Sequence, residues 1–418
     1  MNSSPFFRLD WLSILIYFLL VSFGILNIYS SIHTDTIQPF WDISHVAGKQ
    51  FWIFIGCCIL LPLVLFIKSN LFEHLSYVFY GISILSLIGL FIFGQTISGA
   101  TSWYNIGGIG LQPSEFAKLT TALVLANFLS GLQTDIRRFR DQIKIMILVG
   151  FPMLLILIQP DAGSALVFFG LFFVFLREGM NLRWLYLGIL LVLVFVLTLL
   201  FKPLMVCICA ATLLLLLYFI LRKSYSKKSP FLITLGICLI FSFSVDLIFN
   251  SIFEQRHRDR FNIILGLETD SKGIGYNINQ SKIAIGSGGF SGKGYLNGTQ
   301  TKGNFVPEQH TDYIFSTIGE EWGFLGSSLL IILFTVLIFR IIFRAEKHKS
   351  SFRRIYSYSF ASMLFVHFFV NVGMTLGLVP TVGIPLPFIS YGGSHLMAFS
   401  FMLFLYLNFD AQRLVSDI

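Results

Sequence analysis

Apolar residues in this chain come in long uninterrupted runs, and charged residues or Gly/Pro breaks separate one run from the next. The runs lie at 11–30, 49–67, 75–95, 114–132, 143–158, 163–176, 184–200, 203–221, 230–250, 313–339, 355–378 and 390–410. Most approach the roughly 20 apolar residues that a helix needs to cross the hydrocarbon core of a bilayer. Pro160 and the Lys202-Pro203 pair divide tracts that would otherwise be overlong, because proline removes a backbone donor and clashes inside a helix. The pattern predicts an all-α, polytopic integral membrane protein of about ten to twelve transmembrane helices, organised as a single membrane-embedded domain over 1–418. The one long polar stretch, 251–312, is expected to be a large loop on the extracytoplasmic side.

Composition agrees: 55% of the 418 residues are hydrophobic and 12% charged, against roughly a quarter charged in soluble domains. The placement of Lys and Arg predicts orientation, since short cytoplasmic loops are enriched in them. One alternate set of loops carries Lys68, then Arg137, Arg138, Arg140 and Lys144, then Arg177 and Arg183, then Arg222, Lys223, Lys227 and Lys228, then Arg340 to Arg354. The short loops of the other set carry only Lys49 and Lys202. Both termini are therefore expected in the cytoplasm, and "MNSSPFFRLDW" leads into a retained helix, lacking a small-residue cleavage site. Most of the net charge of +8 reads as a topology signal, with no nucleic-acid partner implied. The five cysteines, Cys57, Cys58, Cys207, Cys209 and Cys238, sit in apolar runs and read as small buried hydrophobes. The eight histidines are scattered, without a metal-binding spacing.

Ionisable residues at membrane depth mark functional sites by default. In "SGATSWYNIGGIGLQPSEFAKL", Trp103 lies on a glycine-bearing outer loop, where it reads equally as an interfacial belt residue. Glu115 and Lys118 follow on one helix face, as a buried structural pair or a ligand site. In "LIQPDAGSALVFF", Asp161 suits a tight turn or a polar cavity. The loop 251–312 begins with Arg256, Arg258 and Arg260, carries Lys282, Lys293 and Lys302, and ends at Asp312 in "FVPEQHTDYIFSTIGEEWGFLG". These cations stand where orientation does not call for them, and an anionic ligand would account for them. "GSGGFSGKG" is no nucleotide-binding loop, because Ser287 stands where the first Gly of that motif belongs and Gly294 where Ser or Thr should follow Lys293. It reads as a tightly turned backbone whose amides could lie near a phosphate. The Pro-rich "GLVPTVGIPLPFISYGGSHL" is expected to line a wet cavity at the same end. For Asp312 the local sequence also fits helix capping, by Thr311 or by Asp312 itself.

"QPSEFAKL", "IQPDAGSAL", "QSKIAIGSGGFSGKGYLNGTQ", "FVPEQHTDYIFSTIGEEWGFLG" and "GIPLPFISYGGSHL", in this order, resemble the SEDS family (shape, elongation, division and sporulation), and "GKGYLNGTQTKGNFVPEQHTD" looks like its RodA branch more than FtsW. The resemblance covers nearly the whole chain. It implies a peptidoglycan glycosyltransferase of the bacterial cytoplasmic membrane that polymerises lipid II on the outer face during cell elongation. Implied partners are a class B penicillin-binding protein, which crosslinks the product, and other membrane proteins of the elongation complex. It further implies Asp312 as the catalytic acidic residue and singles out Trp103, Glu115, Lys118, Asp161, Arg260, Lys282, Glu320 and Ser394 as matching motif positions. Two features depart from the family: about ten spans are usual, with the excess here at 184–250, and Ser102 replaces the Arg that commonly precedes the loop Trp.

Lipid II presents a sugar on a pyrophosphate leaving group, so the protein must activate an acceptor hydroxyl, align two tethered sugars and stabilise the departing anion. Asp312 is the expected general base, with inversion at the anomeric carbon. Arg258, Arg260 and Lys282 are the expected pyrophosphate contacts. A divalent cation, Mg or Mn, held by Asp312 or Asp161 is a further expectation. Glu320 and Glu321 read as a buried pair held by Lys or backbone donors. The competing functions are a lipid II flippase and a non-catalytic scaffold of the cell-wall synthesis complex.

Overall fold

The computed structural model describes residues 9–32, 39, 41–97, 99–107, 109–221, 229–251, 255–267 and 274–413. Arg222, Lys223, Lys227 and Lys228 lie outside the described residues. The chain forms two compact units, one of residues 1–179 and 277–418, the other of residues 180–276.

In the larger unit the predicted spans appear as helices α1 (Trp11–Ile32), α2 (Val46–Phe66), α3 (Ser69–Phe93), α4 (Pro113–Ser130), α5 (Phe139–Ile158), the short α6 (Ala162–Val167) and α7 (Leu171–Arg177) joined by a 3-10 turn, then, beyond the smaller unit, α14 (Ile314–Ala345), α15 (Ser351–Thr375) and α16 (Gly393–Arg413). The smaller unit holds α8 (Arg183–Leu200), α9 (Pro203–Leu221), α10 (Ser229–Ser251) and α11 (Gln255–Ile264). Helix α12 (Ile274–Ser287) leads back into the larger unit, and α13 (Thr299–Lys302) precedes α14. Among the described residues, nine helices are long and apolar enough to cross a membrane. The other three predicted spans, α4, α16 and the broken α6–α7, carry the polar or interrupted segments from which the site below is built. Pro62 and Pro152 lie inside α2 and α5, where the expectation from proline alone would have been a break.

One element departs from the all-helical expectation. The loop that carries Trp103 folds into a small antiparallel sheet of β1 (Gln95–Ile97), β2 (Ala100–Ile106) and β3 (Ile109–Leu111), in the order β1-β2-β3. Its register pairs Gln95 with Trp103 and Asn105 with Gly110. Backbone groups near a bilayer must find partners, and a hairpin satisfies them where an open loop would not.

The buried centre is aromatic. Tyr17, Phe388, Phe399 and Phe404 pack edge to face or near it, and Phe409 packs on Phe352 and Tyr356. Helix α16 lies against α2, α4 and α15, and α15 against α4 and α14. At the end of the bundle opposite Asp312, the buried Asp10 accepts both Arg340 contacts (2.7 and 2.9 Å), and Arg344 pairs with Asp410. These pairs tie α1, α14 and α16 together and leave those charges compensated.

In the smaller unit, Val194, Val206 and Cys238 form the core, and Thr198 and Ser242 share a hydrogen bond of 2.9 Å. The exposed side chains of α8 to α10 are mostly apolar, as lipid contact requires. Cys57, Cys207 and Cys238 are buried, as expected of cysteines in apolar runs, whereas Cys58 is half-buried and Cys209 is exposed.

Helix α14 is broken at Gly323, whose φ of 61° and ψ of −156° are not helical. The amides of Phe324 and Leu325 would otherwise bond Glu320 and Glu321. They bond the carbonyls of Gly289 and Phe290 instead, at 2.9 and 3.1 Å. The freed Glu320 and Glu321 carbonyls accept from the amides of Lys293 and Gly294, both at 3.0 Å. The glycine-rich loop is thus spliced into the helix break, and all four interrupted backbone groups regain partners. This corrects the reading of "GSGGFSGKG" as a phosphate-facing turn: the amides of Lys293 and Gly294 are used by α14, and Gly288 and Gly292 pack so tightly on it that a Cβ would lie 2.0–2.1 Å from a helix carbonyl.

Candidate active site

Asp312 ends the long loop one residue before the cap of α14 and is half-buried. Three consecutive carbonyls lead up to the helix, and each is held from outside. The amide of Tyr391 donates to His310 (2.9 Å), the Ser390 hydroxyl donates to Thr311 (2.6 Å), and the Asn371 side-chain amide donates to Asp312 (2.8 Å). The Asp312 carboxylate then faces Gly383, where a Cβ would come within 3.4 Å of Oδ2. The capping expected of Thr311 fails for the same reason. Tyr313 occupies the cap position without a side-chain bond, and the Thr311 hydroxyl turns back to the Glu308 carboxylate at 2.9 Å. With its backbone held by the Pro-rich segment and α15, the chain turns the Thr311 hydroxyl away from the first amides of α14.

The Pro-rich segment between α15 and α16 is held irregular by its own contacts. Gly383 has a φ of +72° and Phe388 one of +68°, both in the left-handed region. Ser390 Oγ accepts from the Leu386 amide at 2.8 Å, and Gln50 of α2 donates to the Ser390 carbonyl at 3.3 Å. On the far side of Gly383 lies the start of α6: a Cβ on Gly163 would sit 2.9 Å from the Gly383 carbonyl. Asp161 caps α6, accepting from the Ser164 amide at 3.0 Å through Oδ1, and accepts from Gln112 Nε2 at 3.0 Å through Oδ2. Gln112 in turn donates its amide to Ser394 Oγ (3.0 Å), and Ser394 donates to the Gly110 carbonyl (3.1 Å). Asp161 and Ser394 therefore brace the junction of β3, α4, α6 and α16 beside the Asp312 turn.

Glu115 and Lys118 form a fully buried pair, with Lys118 Nζ 2.7 Å from Glu115 Oε1. Two histidines absent from the sequence expectations complete it. Lys118 Nζ is 3.1 Å from His367 Nε2, and His395 Nδ1 is 2.9 Å from Glu115 Oε2. The only clue to them in the sequence was that each stands in an apolar run, since residues 249 and 280 positions apart from their partners leave no spacing pattern. Glu115, His367 and His395 are the group that geometry alone would offer a metal among the described residues. Lys118 already supplies the cation there, bonding both Glu115 and His367.

Glu320 is buried and saturated by protein donors. Oε1 accepts from Lys293 Nζ and the Gln300 amide, both at 2.8 Å, and Oε2 accepts from the Thr301 amide (2.8 Å) and hydroxyl (2.7 Å). It is a strut holding α13, in keeping with the reading of Glu320 as a buried carboxylate held by Lys and backbone donors. Glu321 is buried and accepts from Ser30. Trp103 lies half-buried on β2 with its indole against Gly110. Lys282 is exposed on α12 and lies across Gly377, where a Cβ would meet Nζ at 2.7 Å. Arg258 and Arg260 belong to the smaller unit, on α11, where Arg258 donates to the Asn250 carbonyl at 3.2 Å. Burial holds the pKa of His310, beside Glu308, below the usual histidine value.

Comparison with known proteins was decisive for the family. The description of the FtsW, RodA and SpoVE cell cycle proteins matches residues 10–209 and 204–414. The chain belongs to this family. It is 33% identical over 360 residues to the peptidoglycan glycosyltransferase MrdB of Escherichia coli strain K12, covering 85% of this chain and 83% of that one. It is 32% identical over 439 residues to the peptidoglycan glycosyltransferase RodA of Treponema pallidum, covering 97% and 98%. Among solved structures, one described as the structural coordination of polymerization and crosslinking by a peptidoglycan synthase complex superposes with a TM-score of 0.71 at 27% identity, over 97% of this chain and 98% of that one. RodA of Thermus thermophilus, a rod shape determining protein, superposes with a TM-score of 0.63 at 26% identity, over 97% of each chain. With these relatives, and with nine helices long and apolar enough to cross a membrane among its described residues, the chain is an integral membrane protein.

Proposed function

We propose that this protein is a peptidoglycan glycosyltransferase that polymerises lipid II on the outer face of the bacterial cytoplasmic membrane, with Asp312 as the general base. The carrying observation is the seating of Asp312: its carboxylate faces the Pro-rich segment while three successive carbonyls before α14 are fixed in place. A base held in this way meets the acceptor hydroxyl in a defined direction, and such positioning contributes roughly a hundred- to ten-thousand-fold to rate. One direct displacement inverts the anomeric carbon and expels the lipid pyrophosphate.

Lys282 is the cation of the larger unit assigned to the pyrophosphate, lying exposed across Gly377 at the start of the Pro-rich segment. The oxygen donor set at Asp312 suits a hard cation such as Mg or Mn. Each Asp161 oxygen accepts one bond and keeps a lone pair, so Asp312 or Asp161, with the substrate's own phosphate oxygens, would hold the ion. It would offset the charge developing on the leaving group.

A crosslinking transpeptidase of the penicillin-binding class and other membrane proteins of the elongation complex are the proposed partners, in line with the synthase complex that this fold resembles. The elongation role rests on the RodA and MrdB relatives.

The test is polymerisation of labelled lipid II by the purified protein with its transpeptidase partner. Wild type should make glycan chains and a folded Asp312→Asn variant none. Equal chains from both would remove Asp312 from the mechanism. Absence of chains from both, with lipid II crossing liposomes, would favour a flippase.

A further inference from the structure

His367 and Asn371 stand one helical turn apart on α15, so their side chains project from one face. They hold consecutive carbonyls of the Pro-rich segment: Asn371 Nδ2 is 2.7 Å from the Ile384 carbonyl, and His367 Nδ1 is 3.1 Å from that of Pro385. Asn371 Nδ2 also donates to the Asp312 carbonyl at 2.8 Å. One buried amide thus joins the residue that carries the base to the segment its carboxylate faces.

The orientation of this amide is dictated by its surroundings. Both neighbours are carbonyl oxygens, so the nitrogen must face them. Asn371 Oδ1 is left buried with no hydrogen-bond partner, and Asn371 is fully buried. A buried polar atom without a partner is costly and calls for an explanation. An apolar residue would fill the space without that cost, but it would release both carbonyls. Proline and a positive-φ glycine define the segment on one side, and no secondary structure holds the Asp312 turn on the other. Ser390 holds the Thr311 carbonyl from the Pro-rich segment, and Asn371 is the side chain that bonds the Asp312 carbonyl and the segment at once.

We propose that Asn371 is a positioning residue for the glycosyl transfer, fixing the Asp312 turn against the Ile384 carbonyl so that the base points at the acceptor hydroxyl. This rests on the reading of Asp312 as the base. Asn371 does not touch the substrate, so its removal should misdirect the base and leave substrate binding unaffected. A misplacement of about 1 Å can cost a factor on the order of a hundred in rate.

The experiment uses the full chain with its transpeptidase partner and lipid II over a range of concentrations, with thermal melting of each variant in detergent. Asn371→Ala should keep a cooperative melt, lower kcat at least about tenfold and leave KM within about threefold of wild type, the pattern of a contribution made in the transition state. Asn371→Ser, which keeps a hydroxyl donor, should fall between the two. The proposal is overturned if Asn371→Ala has wild-type kcat while Asp312→Asn is inactive, or if KM rises with kcat unchanged. An active Asp312→Asn would fail the reading of the base, and with it this one. If neither Asn371 variant gives folded protein, the residue is structural and the positioning role is refuted.

Discussion

Gly323 and Gly292 touch backbone to backbone: a Cβ on Gly323 would lie 2.3 Å from the amide nitrogen of Gly292. This contact is what lets the loop after α12 enter the break in α14. It places the Lys293 and Gly294 amides on the Glu320 and Glu321 carbonyls and sets the height of α14 relative to α13. The site depends on it, because the same helix begins two residues after Asp312.

Gly323→Ala should therefore be severely destabilising. The φ/ψ of Gly323 is essentially reserved for glycine, and a side chain there costs about 1–3 kcal/mol before any clash. With the clash, the loss should be about 3 kcal/mol or more. Gly81→Ala is the control, since a Cβ there meets nothing within 4 Å; it should be neutral or add about 0.5–1 kcal/mol. Thermal melts of the two variants in detergent decide the matter, and an unchanged melt for Gly323→Ala would refute the splice.

Glu320→Ala should act on stability. It leaves the Gln300 and Thr301 amides and Lys293 without their shared acceptor, and because Lys293 is partly exposed the loss belongs near the lower end for a broken buried pair, about 3 kcal/mol. Polymerisation per folded molecule should stay within about threefold of wild type. Full loss of activity at an unchanged melting temperature would return Glu320 to the substrate site.

Lys118→Met should be among the most damaging single changes in the bundle, since it strands Glu115 at a fully buried position; the expected cost is about 3–5 kcal/mol. Adding Glu115→Leu to Lys118→Met should recover roughly half of that loss, because the uncompensated charge disappears. A double-mutant cycle on melting temperature measures the coupling. Simple additivity of the two losses would contradict the pairing.

Acid should weaken the Asp312 turn through His310. Burial lowers its pKa in the folded protein, so the unfolded chain binds the proton more readily. The stability from neutral His310 is fully present above the ordinary histidine value near 6.5, and is lost as pH falls from there through the lowered folded value. Melting temperature should decline below about pH 6.5, and His310→Gln should flatten that decline. An identical pH profile for the variant would exclude His310 as the source.

Much of this protein could be read from the chain alone, for a physical reason. A bilayer demands long apolar runs and internally satisfied backbone, so every predicted span between Trp11 and Arg413 recurs as a helix to within about six residues at each end, apart from the breaks inside 163–176 and, at Gly323, inside 313–339. The i, i+3 spacing of Glu115 and Lys118 likewise made their pairing visible. What the chain alone could not show are relationships between residues far apart along it. Nothing local marks His367 and His395 as the partners of Lys118 and Glu115, or Asn371 as the support of the Asp312 carbonyl. Nothing local says that the amides of "GSGGFSGKG" serve a broken helix about thirty residues on, or that the Thr311 hydroxyl turns back to Glu308. Local patterns are set by the solvent each segment meets, whereas these contacts are set by which backbone groups remain without partners once the helices pack, and only the tertiary structure decides that.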